Sequence, residues 1–93
     1  MRHLNLIGPQ LRKLRFKHDW SQNDLAIKLQ LIGFDVGRST IAKIEARLVW
    51  VGDWQLFYFT RVFKVELDEL YPPVDPHDPK IHDTLMKLMD TSW

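Results

Sequence analysis

Apolar residues recur along this chain at three- and four-residue spacing, in short blocks separated by Gly, Pro, Ser and Asp, and nowhere alternate as a strand requires. The first block, GPQLRKLRFKHD, carries Leu11 and Leu14 with Ile7 before them. Gly8 reads as its N-cap, Pro9 as its first helical residue, where a missing N–H costs nothing, and Asp19 as its end. The second block, WSQNDLAIKL, has Ser21 as N-cap with Asp24 three residues on as the acid of a capping box. Trp20 and Leu25 have the spacing of a hydrophobic staple, and Leu25, Ala26 and Leu29 face inward. Gly33 stops this helix, and Phe34 and Val36 in the connector FDVG tuck against the core.

A third helix, GRSTIAKIEAR, enters through Gly37 and is anchored by Ile41 and Ile44. After the apolar loop LVWVGDW, Asp53 caps a fourth helix whose Leu56, Phe59, Thr60 and Phe63 share one side. KVELDELYPP predicts a short fifth helix with Leu67 and Leu70 inward, stopped by Pro72 and Pro73. Residues 74–79, VDPHDP, read as a linker, after which Asp78 and Pro79 open a last helix, KIHDTLMKLMD, striped by Ile81, Leu85, Leu88 and Met89. The expectation is an all-α domain over residues 1–73, with residues 74–93 as linker and terminal helix.

The third helix is odd for its length. Two isoleucines are its only large apolar side chains, while Arg38, Ser39, Thr40, Lys43 and Arg47 surround them with hydrogen-bond donors. Charge sharpens the point. The net charge is +1, but residues 1–47 carry nine Lys and Arg against four acids, and residues 48–93 carry four against eight. A basic half joined to an acidic half suits a polyanion on one face and another task elsewhere. The chain has no cysteine, which excludes disulfides, thiolate chemistry and Cys-based metal sites and fits a reducing, cytoplasmic setting. No apolar run is long enough for a bilayer, and the first residues lack the apolar centre of a signal peptide.

Taken in order, IGPQLRKLR, SQNDLA, STIAKIE and DWQLFYFTRVFKVELDELY, covering about residues 7–71, resemble the helix-turn-helix domains of phage repressors and Cro proteins, the XRE family. The resemblance implies a five-helix, lambda-repressor-like bundle whose third helix lies in the major groove of double-stranded DNA. By position in the motif, Arg38, Ser39 and Lys43 are then base-reading residues. Gln22, Thr40 and Arg47 are phosphate contacts, and Arg15 pairs with Glu45 to hold the reading helix. Two departures stand out. Eight residues, 30–37, separate Leu29 from Arg38 where about three form the usual turn. Arg47 occupies a place where many relatives have Gly.

Other chemistry is thinly supported. Ser21 beside His18 and Asp19 lacks the Gly-flanked turn of a hydrolase nucleophile and is better explained as a cap. His77, His82, Asp75, Asp78 and Asp83 are set in a Pro-rich stretch without metal-ligand spacing. Met86 and Met89 read as packing residues. No enzyme activity, cofactor or metal is expected. Phe57, Tyr58 and Val62 fall on the outer side of the fourth helix, and are either covered by the terminal helix or form a homodimer contact together with Leu85, Leu88 and Trp93. The expected function is a sequence-specific transcriptional regulator, a repressor by this reading. The alternative is a protein-interaction module or antitoxin-like adaptor with the same fold.

Overall fold

A computed structural model describes residues 2–90 and is all-helical. Its elements are α1 (Gly8–Lys17), α2 (Gln22–Leu31), α3 (Arg38–Glu45), α4 (Asp53–Phe63), a 3-10 turn (Leu67–Leu70) and α5 (Ile81–Met89). The predicted fifth helix is therefore a single tight turn. Leu70 is buried within it, whereas Leu67 faces solvent. Pro72 and Pro73 follow too closely for the segment to bury both leucines as a longer helix would.

Helix starts are set by short-range side-chain bonds. At α2 the capping box is complete: the Ser21 hydroxyl accepts from the Asp24 N–H at 2.9 Å, and the Asp24 carboxylate accepts from the Ser21 N–H at 2.8 Å. Two other expected caps are corrected. Gly8 is the first residue of α1, with Ile7 before it, and the Gly8 N–H is satisfied by the Asn5 side-chain carbonyl at 2.9 Å. Asp53 is the first residue of α4; the cap is Gly52, whose N–H donates to the Gln55 side chain at 2.9 Å.

Helix ends share one device. Asp19, Gly33, Arg47 and Lys64 take left-handed backbone angles, with φ of 57, 103, 63 and 55°. In each case the next residue's N–H reaches back five residues: Trp20 to Arg15, Phe34 to Leu29, Leu48 to Lys43 and Val65 to Thr60, at 2.9 to 3.1 Å. These are Schellman-type closures that satisfy otherwise orphaned carbonyls. Three of the four residues are not glycine, and each carries roughly 1–2 kcal/mol of left-handed strain.

The long connector between α2 and α3 is explained by both ends. α2 runs to Leu31, and residues 32–37 then form a loop whose Phe34 and Val36 are buried. Phe34 packs edge-on against Phe59 and Trp54 and tilted against Tyr58. The loop is thus a packed part of the core, which also contains Leu11, Leu25, Leu29, Ile41, Ile44, Phe59 and Leu70, all fully buried. α1 sits close to the exit of α3, because a Cβ on Gly8 would lie 2.5 Å from the Ile44 carbonyl oxygen.

The terminal helix lies along the N-terminal segment. The His3 N–H donates to the Met89 carbonyl at 2.7 Å, and Arg2 and Asp90 form an antiparallel bridge. Ile81 and Leu85 line a cavity of about 510 Å³ with Leu6 and residues 71–74. On α4, Phe57 is 57% exposed, whereas Tyr58 and Val62 are half-buried against the core. Of the residues expected at a homodimer contact, Trp93 lies outside the described residues. Among the described residues, no helix is long and apolar enough to cross a membrane.

Candidate nucleic-acid interface

α3 has a buried side and an open side, as its sequence demands. At about 100° per residue, Ile41 and Ile44 point together into the core, and both are fully buried. Ser39 and Lys43 fall opposite them, while Arg38 and Thr40 flank that outer stripe. All four are exposed, and none of their side chains makes a hydrogen bond or ion pair among the described residues. Ala42 lies between Arg38 and Ser39 on the same outward surface and is half-buried.

Behind this surface, Glu45 joins three helices. Its carboxylate accepts from Arg15 twice, Nε to Oε2 at 2.8 Å and the terminal nitrogen to Oε1 at 2.9 Å. The two side chains are 8% and 4% exposed, so this bidentate pair is largely withdrawn from water. Arg15 also donates to the Trp20 carbonyl at 2.9 Å, which fixes the turn between α1 and α2. Hydrogen bonding to Glu45 holds the Arg15 guanidinium above its ordinary pKa, so Arg15 stays charged. The expected Arg15–Glu45 contact is present in the structure, with an added role at the α1–α2 turn.

Gln22, at the start of α2, is brought to the same cluster. Its side-chain amide donates to Glu45 Oε1 at 3.3 Å. One amide hydrogen is thereby committed inside the fold, leaving the other for any outside partner. The neighbouring Asp24 carboxylate is held below its ordinary pKa, chiefly by its bond to the Ser21 N–H, and so adds negative charge beside that helix end.

Arg47 corrects an expectation. It is half-buried rather than presented to solvent, with Nε donating to the Asn5 carbonyl at 2.8 Å and a terminal nitrogen to the Leu88 carbonyl at 2.6 Å. Burial lowers its pKa. Its guanidinium is a tether between the N-terminal segment, the exit of α3 and α5. The left-handed angle at Arg47 turns the chain so that the side chain runs back towards Asn5.

Asn5 was not singled out in the sequence, yet it organises the same corner. It is 6% exposed, and its amide donates to the carbonyls of Ile44 at 3.2 Å and Val49 at 3.0 Å while its oxygen caps α1. The one available signal was a lone amide side chain inside the apolar run LNLIG, directly before Gly-Pro.

No protein-family model, curated protein or solved structure matches this chain. Among the described residues no group of three or more His, Cys, Asp or Glu is placed to hold a metal ion. Arg38, Ser39, Thr40 and Lys43 on their rigidly backed helix are therefore the best-formed polar surface from which to argue function.

Proposed function

We propose that the chain is a sequence-specific DNA-binding protein of helix-turn-helix type, acting as a transcriptional regulator without catalysis or cofactor. The observation that carries this reading is the division of α3: two fully buried isoleucines on one side and four unengaged polar or cationic side chains on the other. A helix has the width to enter a major groove, where base edges present distinct donor and acceptor patterns. In this reading Arg38 forks onto a guanine, Ser39 and Lys43 meet neighbouring base edges, and the Ala42 methyl group faces a thymine methyl. Thr40 and the remaining amide hydrogen of Gln22 meet phosphate oxygens, which position the helix without reading sequence. The Arg15–Glu45–Gln22 cluster holds α3 at a constant angle to α1 and α2, which base reading needs.

Duplex binding measured at several salt concentrations tests the reading. Arg38→Ala should cost about 1–3 kcal/mol on the preferred sequence and little on others. Lys43→Ala should do the same to a lesser degree. Absence of duplex binding at low salt would overturn the proposal. A protein-interaction module is the second reading, favoured by the exposed Leu31 and Phe57, which are 80% and 57% exposed. Half-site symmetry in a preferred sequence would report whether two copies act together.

A further inference from the structure

The end of α2 and the outer side of α4 enclose a continuous groove. One hollow of about 340 Å³ is lined by Trp20, Lys28, Leu31, Ile32, Arg61, Val62 and Lys64. A second, of similar size, is lined by Ile32, Phe57, Tyr58 and Arg61. Ile32 and Arg61 belong to both, so the two hollows join. Leu31, Phe57 and Ile32 are 80%, 57% and 45% exposed, an apolar strip that water would leave on contact with a partner.

The charges beside this strip are of one sign. Lys28, Arg61 and Lys64 line it, and no carboxylate does. None of the three cations is within ion-pair distance of an acid among the described residues, where the single salt bridge is Arg15–Glu45. Lys28 does have Asp24 one helical turn away, on the side of α2 leading back to its cap. Two of the cations are held over rings: Lys28 Nζ is 4.7 Å from the Trp20 ring centre and the Arg61 guanidinium 5.5 Å from that of Phe57. Cation–π contact keeps each charge at the edge of the apolar strip.

We infer that this groove is a docking site for an acidic amphipathic segment of another protein. Leucine-like side chains at three- or four-residue spacing would fill the strip between Leu31 and Phe57, and Asp or Glu beside them would meet Lys28, Arg61 and Lys64. A second copy is disfavoured in this groove, since a two-fold pairing would set the three cations of one chain against the same three of the other. The inference does not depend on DNA binding, because it uses none of the α3 residues.

Selection from a displayed library of random helical peptides tests it, using the whole chain as bait. The expected winners carry Asp and Glu around an apolar i, i+3/i+4 pattern and shift the backbone amide signals of residues 28–32 and 57–64. Their affinity should fall by about tenfold or more on Leu31→Ala and on the Lys28→Glu, Arg61→Glu double variant, the scale of losing one interface anchor. These side chains are exposed, and an unchanged melting point would show that both variants keep the fold. Recovery of no peptide, of peptides without acidic enrichment, or of peptides that bind elsewhere would overturn the inference. So would self-association of the chain, or its capture by phosphatidylglycerol vesicles, if Leu31→Ala abolished either one.

Discussion

Glu45→Ala should unfold the domain far more readily than the loss of one surface charge would. Glu45 accepts three hydrogen bonds, from Arg15 at 2.8 and 2.9 Å and from Gln22 at 3.3 Å. Truncation leaves the Arg15 guanidinium in a site where its side chain is only 8% exposed, with the Trp20 carbonyl as its one remaining hydrogen-bond partner and the Phe16 ring centre 4.6 Å away. Removing one member of a buried pair costs about 3–5 kcal/mol, chiefly because the other charge is left uncompensated. At ~4–8 °C per kcal/mol for a domain of this size, the melting point should fall by roughly 12 °C or more. Arg15→Met combined with Glu45→Leu should recover much of the loss, because an apolar pair of similar volume carries no stranded charge. Thermal melts by circular dichroism of both single variants and the double variant measure the coupling directly. A Glu45→Ala melt within two or three degrees of wild type, or a double variant no better than the worse single one, would refute the reasoning.

Three further outcomes follow from particular contacts. Gly8→Ala places a methyl group 2.5 Å from the Ile44 carbonyl oxygen and 2.8 Å from the Arg47 side chain, and should cost about 1–3 kcal/mol as overpacking despite alanine's better helix propensity; urea unfolding checks it. His3 is held below its ordinary pKa of 6.5 by burial first and then by repulsion from Arg47, so the unfolded chain binds its proton more readily. Stability from His3 is therefore complete above about pH 6.5 and lost as pH falls through its folded value; the acid-induced drop in melting point should be smaller in His3→Gln than in wild type. Asn5→Ala leaves the Val49 carbonyl and the Gly8 N–H unsatisfied, while the Ile44 carbonyl keeps the Arg47 N–H at 2.9 Å, and should cost at least ~2 kcal/mol by urea unfolding.

Local signals made much of this fold legible in the sequence. The α2 capping box, the Gly33 stop, and the inward set Leu25, Ala26, Leu29, Ile41 and Ile44 all rest on neighbours within a few residues, where spacing and cap chemistry suffice. What the sequence hid was tertiary. Arg47 looked like a phosphate contact because it follows a donor-rich helix; its actual partners are the carbonyls of Asn5 and Leu88, about forty positions away in each direction. Asn5 was missed for the same reason, since two of its three bonds cross the fold. The fifth helix shrank to a turn because Pro72 and Pro73 act on a segment already pulled inward by Leu70. Of the candidate interface, the exposed positions on α3 followed from helical periodicity, whereas the engagement of Gln22 with Glu45 did not.

Selection of bound sequences from a pool of random duplexes, run in parallel with wild type and Arg38→Ala, bears most directly on the role assigned to α3. Wild type should enrich a defined motif containing a strongly preferred guanine, and the Arg38→Ala pool should lose that preference while keeping the flanking positions. Two identical pools, or a wild-type pool no different from its input, would contradict the assignment of α3 as a reader of DNA.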